Sequence, residues 1–142
     1  MSNNEGFYEI SSMFKTFLKG ITQDWNKQGH ELSMTQCKTL YSLSKKGPQK
    51  VSQLASSLHF TAAAITGITD HLFAEGYVNK ERAESDRRVV NITITKKGED
   101  MIKGLMENQR ELMGNYFKVL PDEDIVHLRR IFATLISKID NS

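Results

Sequence analysis

The chain has 142 residues, of which 39% are apolar and 25% charged, enough to bury a core without disulfide or metal staples and too apolar for a disordered chain. No apolar run approaches the roughly 20 residues that cross a bilayer, the start MSNNEGFYEI lacks the blocks of a secretory leader, and the single Cys37 excludes a disulfide framework or a CxxC zinc site. A cytoplasmic protein is expected. The net charge of +2 hides a split: 1–44 is balanced, 45–98 carries nine Lys/Arg against five Asp/Glu, and 99–142 carries six against eight. A basic middle between neutral and acidic flanks suits a polyanionic partner.

In chain order, the segment 7–28 places Phe7, Ile10, Phe14, Phe17, Ile21 and Trp25 at three- and four-residue steps, one stripe on a helix. The segment 35–46 repeats the theme with Cys37, Leu40, Tyr41 and Leu43 and stops at Gly47-Pro48. Ser52 is the expected cap of a short helix over 53–58 carrying Leu54, Ala55 and Leu58. Thr61 is the expected cap of another over 62–75, with Ile65, Ile68, Leu72 and Phe73 inward and Gly76 as its stop.

The period then changes to two. Val90, Ile92 and Ile94 alternate with Asn91, Thr93 and Thr95, a half-buried strand whose expected partner is 77–82 across the polar loop 83–87. Helical spacing resumes after Thr95, with Met101, Ile102, Leu105, Met106, Leu112, Met113, Tyr116 and Phe117 on one face. After Pro121, the acidic run 122–124 suits a helix start, and Ile125, Leu128, Phe132, Leu135 and Ile139 follow as a coiled-coil-like seam.

The informative unit is 50–98. Two helices that cross closely need a small residue at the crossing, which Ala55 supplies, and an apolar plug in the turn, which Phe60 supplies. Thr61, Ala62, Ala63, Ala64, Thr66 and Gly67 give the second helix a low-profile face free of long acidic chains, able to enter a major groove about 12 Å wide. The threonines can hydrogen-bond phosphates or base edges, and the free N–H groups of the helix start favour phosphate. His71, further along, is a candidate phosphate contact. Alone, this small-residue stretch would serve equally well as a packing surface. The hairpin decides between the two readings: Lys80, Arg82, Arg87, Arg88, Lys96 and Lys97 outweigh Glu81, Glu84 and Asp86. An arginine at such a tip can enter the narrow, electronegative minor groove, and Asp86 is placed to hold the Arg88 guanidinium in a forked pair.

The stretch 51–98, above all Asp86-Arg87-Arg88 followed by the alternating strand and Thr95-Lys96-Lys97-Gly98, resembles the MarR-type winged-helix transcription regulators. The flanks are similar too: an N-terminal helix, a second opened by Leu32-Ser33-Met34-Thr35-Gln36, and two long C-terminal helices. The resemblance implies a mainly α (α+β) fold in which one domain over 1–142 has a winged helix-turn-helix at 33–98 and dimerisation helices at 1–32 and 99–142. It further implies a homodimer on a pseudo-palindromic duplex, usually repressing and often released by a small-molecule effector. Helix 62–75 becomes the recognition helix, Arg88 the minor-groove arginine and Asp86 its holder, with Arg82 and Arg87 beside them.

Two other readings share the fold: a protein-interaction module, and a redox or metal sensor. Some relatives of this type sense oxidants through a cysteine in the first helix, but Cys37 falls in the second, facing the core beside Leu40. His30, His59, His71 and His127 are dispersed without ligand spacing, so no metal is expected. Trp25 with Met101, Met106 and Met113 is a candidate lining for an effector pocket. There is no nucleophile–base signature, Gly-rich phosphate loop or cofactor fingerprint, so neither an enzyme nor a cofactor is expected.

Overall fold

The turn residues divide the chain into six helices and three short strands among the described residues, 3–86 and 88–140 of the computed structural model. Helices α1 (Asn3–Lys27) and α2 (Met34–Lys46) are followed by strand β1 (Gln49–Lys50), helices α3 (Val51–Leu58) and α4 (Ala62–Ala74), strands β2 (Val78–Arg82) and β3 (Val90–Ile94), and helices α5 (Lys96–Phe117) and α6 (Asp122–Asp140). Two compact units result, Met1–Asn108 and Gln109–Ser142, the division falling within α5. No described helix is long and apolar enough to cross a membrane.

In the first unit, α2, α3 and α4 pack on one another and on the sheet. Leu40 and Leu43 of α2, Leu54 of α3, and Ile65 and Leu72 of α4 lose all solvent contact, joined by Trp25, Leu32, Val78 and Ile92. Each of the largest of these contributes about 2 kcal/mol by leaving water. Helix α2 starts with a reciprocal cap: Ser33 Oγ accepts the Gln36 N–H (3.2 Å) and Gln36 Oε1 accepts the Ser33 N–H (2.9 Å).

Helix α3 begins two residues earlier than the Ser52 cap would require. Gln53 Oε1 accepts the Lys50 N–H at 2.8 Å, which places the boundary at Lys50 and leaves Ser52 inside the helix. Its other end closes on His59, which has a positive φ (60°), after which the Phe60 N–H reaches back to Ala55 O (3.0 Å). Ala55 is buried, as expected at a close crossing, and Phe60 is half-buried.

Along α4 the inward set is Ile65, Thr69 and Leu72, with Ile68 half-buried. Phe73 is 49% exposed, contrary to its expected inward position, and the Lys80 ammonium lies 5.7 Å from the centre of its ring. Thr69 is buried because its hydroxyl donates to Ile65 O (2.9 Å) within the same helix and so needs no other partner. Tyr41 of α2 is likewise exposed, under Lys45.

The sheet is antiparallel in the order β1-β3-β2, with Gln49 opposite Ile92 and Lys80 also opposite Ile92 from the other side. The hairpin is as read from the alternation; β1 is an addition. Gln49 anchors it, its buried amide donating to the Ser42 carbonyl and hydroxyl, each at 3.2 Å. At the start of α5, Gly98 lies so close to β2 that a Cβ there would sit 2.2 Å from Tyr77 O, a position that only glycine can fill.

Of the apolar stripe on α1, Ile21 and Trp25 are buried, while Phe7, Ile10, Phe14 and Phe17 are exposed. In the second unit, Ile125, Phe132, Leu135 and Ile139 of α6 are exposed as well.

Candidate nucleic-acid interface

The exposed side of α4 and the β2–β3 wing form the surface that matters. Thr61 caps α4 from an extended backbone, its Oγ1 accepting the Ala64 N–H at 3.1 Å. That hydroxyl keeps its own hydrogen for an outside acceptor. Ala62, Ala63, Ala64, Thr66, Gly67 and His71 are all exposed. Helical spacing places Ala63, Thr66 and Gly67 on one face, and no heavy atom lies within 4 Å of where a Gly67 Cβ would be. The absent side chain at Gly67 is therefore not explained by packing inside the protein.

The wing loop is closed at its base by the Ala83 N–H on Val89 O (2.9 Å) and at its tip by the Val89 N–H on Asp86 O (3.0 Å). Asp86 Oδ1 accepts the Arg88 backbone N–H (3.0 Å) and the Arg88 Nε–H (3.2 Å), and Oδ2 accepts Nη2 (3.4 Å). This is the expected fork, with a backbone bond added. Those backbone and side-chain bonds from Arg88, with Lys50 as a weaker attraction, hold the Asp86 carboxyl below the usual carboxylate range. The Arg88 side chain remains 91% exposed, aimed but not covered. Arg82 is exposed at the end of β2 opposite Val90; Arg87 lies outside the described residues.

Reading the sequence missed how the wing meets α4. Lys80 pairs with Asp70, and its ammonium lies 5.7 Å from the centre of the Phe73 ring. A groove of about 340 Å³ separates Thr66 and Thr69 from Lys80, Arg82, Val90 and Ile92. The available signal was Asp70 itself, the sole acid of α4, four residues after Thr66 and thus on the same face.

The residues set aside in the sequence have other settings. Cys37 is 1% exposed, and burial pushes its thiol up to about 11, so at neutral pH it is protonated and a poor nucleophile. Trp25 does not line an open pocket: it is 1% exposed, its indole stacks on His30 at 3.7 Å, and its N–H donates to Leu32 O. Among the described residues, no three His, Cys, Asp or Glu side chains gather as a metal ion would require.

Helices α3 and α4 crossing at a tight turn, with a three-stranded sheet whose hairpin extends beside α4, define a winged helix-turn-helix. Comparison with known proteins narrows this class. The MarR family model matches residues 32–90. Over 132 residues the chain is 30% identical to an uncharacterized HTH-type transcriptional regulator, YpoP of Bacillus subtilis, covering 92% of this chain and 94% of that one. It is 25% identical to the HTH-type transcriptional repressor MdtR of the same organism, over 89% of this chain and 80% of that one. The crystal structure of Streptococcus pneumoniae FabT in complex with DNA has the same fold, with a TM-score of 0.76 at 20% identity, covering 95% of this chain and 98% of that one. The chain belongs to the MarR family, whose members are transcriptional regulators.

Proposed function

We propose that the protein is a sequence-specific double-stranded DNA-binding repressor that acts as a homodimer on a pseudo-palindromic operator and is released by a small-molecule effector. In this reading the α4 face from Thr61 to Gly67, with His71, enters the major groove, and Arg88 enters the adjacent minor groove. The observation that carries the reading is the pairing of an exposed guanidinium, aimed by Asp86, with a helix face on which Gly67 carries no side chain although open space surrounds it. FabT, of the same fold, was crystallised with DNA, and MdtR is named a repressor. Phe7, Tyr8, Ile10 and Met13 on α1, and Val126, Leu135 and Ile136 on α6, are each more than half exposed, which favours a second subunit covering each helix. An effector follows from the family resemblance.

The test is Arg88→Ala. Operator affinity should fall by about 1–3 kcal/mol and log K should become less steep in log salt by about one contact, while the thermal midpoint stays within a few degrees. Unchanged affinity and slope would remove the wing from the interface.

A further inference from the structure

The acid on α4 needs an explanation. Asp70 follows Thr66 by four residues and Gly67 by three, so it shares the face proposed to enter the groove, and its side chain is 56% exposed. A bare carboxylate there would oppose phosphate. It is not bare: it binds the ammonium of Lys80, at the middle of β2, and that same ammonium lies over the Phe73 ring one turn further along α4. The lysine side chain is itself only 31% exposed, so much of its stem is laid down between strand and helix.

We propose that Asp70 and Phe73 are positioning residues that seize Lys80 and fix the angle between the wing and α4, so that Arg88 and the α4 face reach adjacent grooves together. This rests on the DNA-binding reading above. The mechanism is preorganisation: without the clamp the wing must be ordered on binding, at the expense of affinity. The sign of one substitution separates this from simple electrostatics. Removing a negative charge that faces phosphate tightens binding; removing a clamp loosens it.

The experiment measures the affinity of wild type, D70N, D70E, K80Q and D70N/K80Q for one operator duplex across a salt series. D70N is expected to bind about threefold to fivefold more weakly, the scale of one exposed ion pair, with an unchanged salt slope. D70E, which keeps the carboxylate, should stay within about twofold of wild type. The double variant should be no weaker than K80Q alone, since both remove one contact. Without DNA, amide exchange in D70N should quicken across β2 and remain as in wild type across α2, a pattern that general destabilisation would not produce. D70N binding more tightly than wild type, or unaltered exchange in β2, overturns the clamp while leaving the DNA-binding reading in place. A wild type that binds no duplex at low salt overturns both.

Discussion

Helix α4 and the wing tip face the same proposed partner but are held by different physics. Behind α4, Ile65, Thr69 and Leu72 are completely buried, so the helix is set by packing, and its outer face from Thr61 to Gly67 carries little beyond methyls and hydroxyls. At the wing tip, none of Glu84, Ser85, Asp86 and Arg88 is buried, and the loop is shaped by backbone bonds and one carboxylate. The helix offers shape on a rigid support; the wing offers charge on a locally braced arm. A protein that reads a duplex through both should therefore separate them experimentally: changes behind α4 act on stability, and changes in the wing act on affinity and its salt dependence.

The largest expected effect tests the rigid side. Leu72→Ala empties a fully buried site and should cost about 3–4 kcal/mol in urea unfolding, while the fraction still folded keeps the wild-type salt slope. A loss below about 1 kcal/mol would mean that α4 is not held from behind as described. A smaller effect tests the outer face. Gly67→Ala places a methyl in open space and should raise stability by about 0.5–1 kcal/mol, since alanine is the better helix former. Operator binding should weaken at the same time. Opposite signs in melting and binding would sharpen the contrast; a gain in both would show that the face does not meet DNA closely.

The smallest effect concerns the brace of the wing. Asp86 is held below the usual carboxylate range, mainly by the Arg88 backbone and side-chain bonds. A carboxylate depressed in the folded state lends its stabilisation above the ordinary carboxylate value and loses it as pH falls through the lowered one. The Arg88 Nε–H resonance should accordingly stay in its bonded position at pH 5 and shift only on the acid side of an ordinary carboxylate titration. A midpoint at or above the ordinary value would mean that the fork does not persist in solution.

Much of this surface was legible in the sequence because it rests on short-range signals. The alternation at Val90, Ile92 and Ile94 announces a strand, Ala55 a close crossing, and Asp86 with Arg88 a local fork. What stayed hidden depends on partners distant in sequence. Strand β1 is only Gln49 and Lys50, too short for any period, and exists because β3 offers its edge and Ser42 accepts the Gln49 amide. Phe73 fits an inward period, yet lies half exposed with the Lys80 ammonium over its ring; Thr69 breaks the apolar pattern, yet is buried because its hydroxyl bonds within its own helix. The start of α3 was misplaced because serine is the commoner cap, whereas here the Gln53 side chain satisfies the Lys50 N–H. Gly98 read as punctuation in the sequence, but its cause is contact: the Tyr77 carbonyl leaves no room for a Cβ.

Selection of bound duplexes from a random pool, followed by alignment of the recovered sequences, puts the whole arrangement to trial in one step. Two related half-sites in inverted orientation should be enriched, their centres about one turn of the duplex (roughly 10 base pairs) or a multiple apart. Recovery of no preferred duplex, or of a single unpaired half-site, would contradict it.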